Sequence, residues 1–371
     1  LKFMKGGVIM LLSFNITKCG KSHEMHHKPG QDYSCCRKVM DNIGRQWAIC
    51  AVADGVGSCS NSHYGSKTAA VCAVDYTAEE LRKEPVRDDE QALKILQNAY
   101  CTALEAVEEK ADDMQMPIIS FDTTLTVAVF NGIDLYYGHS GDGGIVVLYS
   151  DGCYEMITKR QKGEETTSVF PLRAKEYWVF GKSDKRVASL ALMTDGVLDA
   201  VVDETLNNRV YIPFFRPVLT ADADSEADEI VLKDYMERVF SEEKYRERVT
   251  DDISFAMILE TQAVSELPDI KFDAEAWERE TLDLIQKKRE FLDYQAKLYA
   301  QKQTIMHKTP QNDTYGHTFQ KVRSILWNVL ESSADLGIQC GGEMNRLQKE
   351  KKKKVKDISL GNVSEKKGRK T

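Results

Sequence analysis

The sequence lacks an apolar run of membrane-spanning length, paired-cysteine spacing and internal repeats. Its N-terminal apolar stretch, residues 8–14, is far shorter than the roughly 20 residues that a bilayer requires, and residues 15–18 offer no small-residue cleavage site. We therefore expect a first strand there rather than a signal peptide. The nine cysteines are odd in number and show no Cys-x-x-Cys spacing. This favours reduced thiols in a cytoplasmic protein over a disulfide framework.

The chain does have enough apolar material for a large core, and its charge is unevenly distributed. Its 371 residues are 42% hydrophobic and 29% charged, which predicts one large domain with extra material or two domains. The net charge of −8 divides into +8 for residues 346–371 and −16 for residues 1–345. Because the basic tail lacks interleaved aromatics, nucleic acid is disfavoured as a partner, and a solvated, disordered tail is expected.

Apolar patterns predict the secondary structure of residues 10–262. Strands are expected over residues 10–18, 33–39, 47–53, 123–130, 133–137, 145–149, 154–158, 188–194 and 253–259. Helices are expected over residues 62–81, 90–114 and 226–243, with a short one from Val197. Two Asn-Gly and Asp-Gly turns predict an antiparallel meander in the middle, followed by an irregular flap over residues 160–187. This order predicts an α+β fold rather than alternating βαβ units.

After residue 262 the pattern becomes that of one long helix. Apolar residues recur every seven positions from Trp277 to Ile305, which predicts a helix of about 30 residues. Polar Lys288, Gln295 and Lys302 interrupt the apolar stripe. Packing on its own domain or on a partner protein is therefore as well supported as a self-paired coil. A second apolar segment follows over residues 319–330.

Carboxylates stand beside glycines at the ends of several predicted strands. Hard cations such as Mg²⁺ and Mn²⁺ need oxygen ligands, and glycine lets the backbone approach them closely. We therefore expect a site for paired cations in which Asp54 is the bridging ligand and Gly55 offers its carbonyl oxygen. Asp195 and Asp251 would complete the coordination of one cation. Asp32, after Gln31, would hold water around the other.

Six short phrases occur in a fixed order along residues 10–262. They are Gln31-Asp32, Asp54-Gly55-Val56-Gly57, Thr123-Thr124, Ser140-Gly141-Asp142, Thr194-Asp195-Gly196 and Asp251-Asp252. Together they resemble the metal-dependent serine/threonine protein phosphatases of the protein phosphatase 2C family, in a bacterial branch where Gln-Asp replaces Glu-Asp. The resemblance implies a four-layer sandwich of two antiparallel sheets flanked by helices, here with a helical C-terminal extension. It also implies hydrolysis of phosphoserine and phosphothreonine on proteins by a metal-activated water at a binuclear Mg²⁺ or Mn²⁺ centre.

The resemblance implies the same metal ligands position by position, namely Asp32, Asp54, Gly55, Asp195 and Asp251. It adds Asp142 as the acid of a third, weaker metal. The family has an arginine that grips the substrate phosphate at the place of His27, so His27 joins Asp54 and Asp32 as a candidate catalytic residue.

Several positions depart from the family pattern. Lys28, beside His27, is an alternative substitute for the missing arginine. Val56 stands where some members have a histidine proposed as general acid, so that water would have to protonate the leaving alkoxide. Asp122 and Gly143 replace a usual glycine and a usual serine, and Asp252 is given no role.

The resemblance and the change of pattern at residue 262 predict three regions. These are a catalytic domain over residues 10–262, a helical extension over residues 263–345 and a basic tail over residues 346–371. Expected partners are a phosphoprotein substrate, a cognate serine/threonine kinase system and a protein bound through the C-terminal helix, with no membrane span. One alternative is a weak or inactive relative that binds phosphoproteins or a signalling partner. Another is a sporulation-type regulatory phosphatase that acts on an anti-sigma partner.

Overall fold

The computed structural model describes residues 10–162, 169–206, 208–223, 225–268 and 272–308, with the backbone alone for residues 298–308. Contacts within the chain divide it into two units, Leu1–Phe272 and Asp273–Thr371. In the described part of both units, no helix combines the length and the apolar character that crossing a membrane requires.

Two antiparallel sheets of five strands each form the first unit. The first sheet contains β1 (Leu11–Lys18), β6 (Gly144–Tyr149), β7 (Tyr154–Met156), β9 (Val187–Met193) and β12 (Ile253–Glu260), in the order β1-β12-β9-β6-β7. The second sheet contains β2 (Tyr33–Met40), β3 (Gln46–Ala53), β4 (Leu125–Phe130), β5 (Leu135–Ser140) and β8 (Val179–Lys182), in the order β2-β3-β4-β5-β8. A separate ribbon pairs β10 (Val202–Asp203) with β11 (Arg209–Val210).

Most helices of the first unit cover the outer faces of the two sheets. The helices in the described residues of this unit are α1 (Lys21–Met25), α2 (Ser62–Lys83), α3 (Asp89–Asp113), α4 (Asp195–Val201), α5 (Ile212–Leu219), α6 (Glu226–Ser241), α7 (Glu243–Arg246) and α8 (Thr261–Ser265). The helices α2 and α3 pack on the second sheet, and α4, α5, α6 and α8 pack on the first. Asp88 caps α3 by accepting a hydrogen bond from the Gln91 backbone N–H at 2.8 Å, as an N-cap acid does.

The core has three layers of apolar side chains. One layer lies between the sheets and includes Val52 and Ile258. A second joins the second sheet to α2 and α3, and a third joins the first sheet to its helices. The predicted four-layer sandwich of two antiparallel sheets flanked by helices is therefore confirmed.

The predicted meander is wrong at one connection. The hairpins at Gly132 and Gly152 form as expected, and each glycine has φ near 86°. However, β5 and β6 do not pair, because residues 141–143 cross from the second sheet to the first. Within its own sheet, β6 lies between β9 and β7. Every residue of β6 is buried because apolar layers cover both faces of this strand. The flap also differs from the prediction, since it contributes β8, which pairs with β5.

The prediction of reduced thiols is wrong for one pair of cysteines. Cys36 on β2 faces Cys50 on β3 in the strand register, and a disulfide joins them. The pairing follows from strand register, which cysteine spacing alone does not reveal. Six other cysteines in the described part of the chain are free.

In the second unit, α9 (Ala274–Lys308) forms the long helix that the heptad pattern predicts, and it is 35 residues long. Large apolar side chains on it are exposed, including Leu282, Phe291 and Tyr294. The second apolar segment at residues 319–330 and the lysine run at residues 351–354 lie outside the described residues.

Candidate metal centre

The predicted metal ligands lie at one end of the sandwich. Asp54 follows β3, and Asp195 opens α4 just after β9. Asp142 lies in the crossing between β5 and β6, Asp32 immediately precedes β2, and Asp251 lies two residues before β12. Because antiparallel neighbours alternate in direction, strand ends and strand starts meet at this edge.

The structure brings four of these carboxylates together. One oxygen each from Asp54, Asp142 and Asp195 lies within 4.8 Å of the other two. Asp32 shares a hydrogen bond with Asp54 and also accepts one from Thr194 Oγ1 at 2.5 Å. Asp251 is exposed at the rim, where its charge raises the pKa of Asp195.

Burial and mutual repulsion disfavour the ionised form of these carboxyls when no cation is present. Burial raises the pKa of Asp32 and Asp54 well above the ordinary value, and the pKa of Asp142 is also raised. The pKa of Asp195 rises to about 7, first through burial and then through the charges of Asp142 and Asp251. Cations would remove this repulsion, since an opposite charge favours the ionised form.

The donor set fits hard divalent cations. All four carboxylates offer oxygen, which Mg²⁺ and Mn²⁺ prefer. Asp142 Oδ1 is buried and has no hydrogen-bond partner among the described residues. The Gly55 N–H donates to the Gln31 carbonyl oxygen at 3.1 Å, while its own carbonyl oxygen receives no hydrogen bond within the described part. Both oxygens are therefore free to bind a metal.

Two threonines fix the backbone that carries Asp54. The Asp54 N–H donates to Thr124 Oγ1 at 2.9 Å, and the Thr124 N–H donates to the Asp54 carbonyl oxygen at 2.8 Å. Thr123 Oγ1 donates to that same carbonyl oxygen at 2.9 Å. The Asp122-Thr123-Thr124 phrase thus acts as a support for Asp54 rather than as a ligand.

Sequence reasoning missed two arginines beside the centre. Arg173 Nε donates to Asp122 Oδ1 at 2.6 Å, which gives the unusual Asp122 an ion-pair partner from the flap. Arg160 is 5% exposed and pairs with Asp199 and Glu204. Its charge lowers the pKa of Asp142 against the larger effect of burial. In the sequence, the acid at position 122, where the family usually has glycine, could have indicated the ion pair between Asp122 and Arg173.

His27 is not part of the carboxylate cluster. It is exposed and has φ of 52°, in the left-handed region. Its imidazole makes no hydrogen bond within the part of the chain that the structure describes. Lys28 is also exposed, so both cationic candidates are open to solvent in the loop between β1 and β2.

A cavity of about 390 Å³ lies beside the crossing that carries Asp142. Its lining includes His139, Arg160, Gln161 and a stacked pair, Phe170 and Tyr177. Gln161 ties this cavity to the crossing, since the Gly141 N–H donates to Gln161 Oε1 at 3.0 Å and the Gln161 N–H donates to the Gly141 carbonyl oxygen at 2.9 Å.

Comparison with known proteins gives the class of the chain. The model of a family described as protein phosphatase 2C matches residues 19–237, which is more than half of the chain. The chain therefore belongs to the protein phosphatase 2C family. Curated protein sequences gave no significant match.

Several solved structures are similar to this chain at low sequence identity. The catalytic domain of the serine/threonine phosphatase PstP, in complex with two manganese ions, is 19% identical with a TM-score of 0.47, covering 68% of this chain and 98% of that one. The phosphatase Stp1 from Staphylococcus aureus is 16% identical with a TM-score of 0.43, covering 67% and 95%. RsbX in complex with magnesium is 16% identical with a TM-score of 0.39, covering 68% and 95%.

Proposed function

We propose that the chain is a Mg²⁺- or Mn²⁺-dependent phosphatase that removes phosphate from phosphoserine and phosphothreonine in proteins. Membership of the protein phosphatase 2C family supports a metal-dependent phosphatase activity. The observation that carries the proposal is the meeting of Asp54, Asp142 and Asp195, with one oxygen of each within 4.8 Å of the others. We further propose a role in cytoplasmic phosphoprotein signalling, opposite a serine/threonine kinase.

The proposed ligands would divide between two cations. Asp54 would be a ligand to both, Gly55 would contribute its carbonyl oxygen, and Asp195 and Asp251 would complete the coordination of the first. Asp32 would order water at the second. Asp142 offers a third site, which the neighbouring charge of Arg160 weakens because it already offsets part of the negative charge.

The bound cations would supply a water of lowered pKa and positive charge against the phosphoryl oxygens. The chain's own residues bind and orient the substrate. His27 and Lys28 present positive charge or N–H donors to the phosphate from an exposed loop. The cavity beside Asp142 gives room for residues next to the phosphorylated side chain.

Neither Val56 nor His139 can protonate the departing oxygen. Val56 carries no acidic proton. His139 is buried, and burial lowers its pKa to about 4. Both of its ring nitrogens are already engaged, by Thr126 Oγ1 at 2.9 Å and by the Lys159 carbonyl oxygen at 3.1 Å. The proton for the leaving alkoxide would therefore come from water.

The cost of the acidic cluster disfavours a purely binding role. Raised pKa values for Asp32, Asp54, Asp142 and Asp195 mean that ionising these carboxyls lowers the stability of the folded protein. A module that only binds phosphoproteins has no need of this arrangement. Sites that perform chemistry commonly bear such a cost.

The test is hydrolysis of p-nitrophenyl phosphate and of a phosphothreonine peptide with Mn²⁺ or with EDTA. We expect turnover with Mn²⁺ that EDTA abolishes. Asp54→Asn should lose both this turnover and tight binding of the paired cations, since it removes the bridging charge. Asp75→Asn, on the outer surface of α2, is the matched control and should behave as wild type. Absence of metal-dependent turnover from pH 7 to 9 would refute the proposal.

A further inference from the structure

Asp252, the neighbour of a proposed metal ligand, holds both ends of one loop. It is 2% exposed. Its Oδ1 accepts a hydrogen bond from the Gly20 N–H at 2.6 Å, and its Oδ2 accepts one from the Gln31 N–H. His23 Nδ1 lies 3.0 Å from Oδ1. One buried carboxylate thus contacts the start, the middle and the end of the loop between β1 and β2.

This loop has little apolar packing of its own. Its short helix α1 contains no buried residue, and His26 and His27 are exposed. Its other ties are polar: the Ser22 N–H donates to the Thr250 carbonyl oxygen at 2.9 Å, and Arg246 pairs with Glu24 at 2.6 Å. Because exposed ion pairs contribute little, the buried carboxylate of Asp252 is what joins the two loop ends to each other. The Gln31 end is held in addition by its side-chain N–H, which donates to Ser62 Oγ at 2.6 Å.

The backbone of Gln31 links Asp252 to the opposite sheet. Its N–H donates to Asp252, and its carbonyl oxygen accepts from the Gly55 N–H at 3.1 Å. Asp32 follows directly, while Gly55 follows Asp54. The Asp252 N–H in turn donates to Asp251 Oδ1 at 2.9 Å. The contacts therefore run from one proposed metal-ligand segment to another through the backbone of a single residue, Gln31.

We propose that Asp252 is a positioning residue whose carboxylate closes the loop over residues 20–31 and thereby places Asp32 at the metal centre. Groups that orient metal ligands without touching the metal commonly change metal affinity by about 10–100-fold when altered. The inference rests on the proposed function only for the identity of the metal centre, since the loop contacts exist in the metal-free protein.

A carboxylate of the same kind provides the control. Asp41 is 5% exposed and closes the turn between β2 and β3. It accepts hydrogen bonds from the Ile43 N–H at 3.1 Å, from the Arg45 N–H at 2.8 Å and from Trp47 Nε1 at 3.2 Å. This turn is at the opposite end of the β2–β3 hairpin from Asp32 and Asp54.

The experiment compares Asp252→Asn with Asp41→Asn in the full chain. Each variant keeps the side-chain shape but replaces one acceptor oxygen with an N–H donor that faces another N–H. At Asp252 that N–H belongs to the backbone, and at Asp41 it belongs to the backbone or to a side chain. We expect Asp252→Asn to weaken Mn²⁺ binding by about 10–100-fold in calorimetry. It should also speed amide hydrogen exchange over residues 19–32 of the metal-free protein. Asp41→Asn should lower the melting temperature and leave Mn²⁺ affinity unchanged.

Wild-type Mn²⁺ affinity in Asp252→Asn, or an equal loss of affinity in both variants, would overturn the proposal. If Asp252→Asn does not fold, His23→Ala tests the same contact from the loop side. Faster exchange confined to residues 19–32 would then support the proposal, and unchanged exchange there would overturn it. A wild-type protein that binds Mn²⁺ without hydrolysing phosphate esters would refute the proposed function but would leave these measurements valid.

Discussion

At the scale of single residues, the carboxylates of the centre set its pH dependence. The pKa of Asp195 in the folded protein is about 7, above its ordinary value of 3.8. Between these values the folded state binds more protons than the unfolded state. The contribution of Asp195 to the free energy of unfolding therefore falls as pH rises through this window and stays low above it. Buried His139, whose pKa falls to about 4, acts in the opposite direction.

Removing the charge of Asp195 should stabilise the metal-free protein at high pH. Relative to wild type, Asp195→Asn should raise the melting temperature in EDTA by several degrees at pH 8 and by less at pH 5, since 1 kcal/mol moves the midpoint by about 2–4 °C in a domain of this size. The contribution of His139 to the pH dependence cancels in this comparison, because both proteins retain His139. Added Mn²⁺ should stabilise wild type more than the variant, and a pH-independent difference would contradict the pKa shift.

His27 is the residue that best tests substrate binding. It has φ of 52°, so His27→Gly removes the imidazole without adding backbone strain. Losing one hydrogen bond to a charged phosphate should raise KM about tenfold, with a smaller change in kcat. His26→Ala, at the neighbouring exposed imidazole, should leave KM unchanged. If His27→Gly has wild-type KM for p-nitrophenyl phosphate, the loop does not grip phosphate through His27.

At the scale of elements, sequence patterns predicted where the strands lie in the chain better than which strands pair with one another. Nearly unbroken apolar runs mark β3, β4 and β9 because these strands are buried on both faces. The crossing at residues 141–143 was missed because a glycine-rich turn looks alike whether the chain returns to the same sheet or changes sheet. The disulfide and the Asp252 contacts were missed for a related reason: they join residues that only the register brings together.

The crossing requires glycine at position 141. Gly141 has φ of 107°, and an added Cβ would lie 2.4 Å from Thr124 Cγ2 and 2.5 Å from Thr124 Cβ. Gly44 has φ of 83° but has no atom within 4 Å of such a Cβ. Gly44→Ala should cost only backbone strain, about 1–2 kcal/mol. Gly141→Ala should cost more, because Thr124 also supports Asp54. Denaturant unfolding should show a larger loss of unfolding free energy for Gly141→Ala than for Gly44→Ala. Equal losses would contradict the steric argument.

At the scale of the whole molecule, the site belongs to the first unit. The proposed ligands run from Asp32 to Asp251, and the unit ends at Phe272. The order of six short phrases was enough to predict the class of protein, because those phrases occupy strand ends that the fold brings to one edge. The sequence could not show the supports, such as Arg173 for Asp122, since they lie in a flap without a regular pattern.

The position at which the chain is cut should decide whether the first unit is stable alone. A chain ending at Phe272 retains α8, in which Ala263 is 2% and Val264 6% exposed against the core of the first sheet. We expect it to keep the metal-dependent kcat/KM for p-nitrophenyl phosphate. A chain ending at residue 262, the predicted boundary, exposes that core and should melt several degrees lower, since burying an aliphatic side chain contributes about 1.5–3 kcal/mol. Loss of activity in the chain that ends at Phe272 would show that the catalytic unit needs residues 273–371.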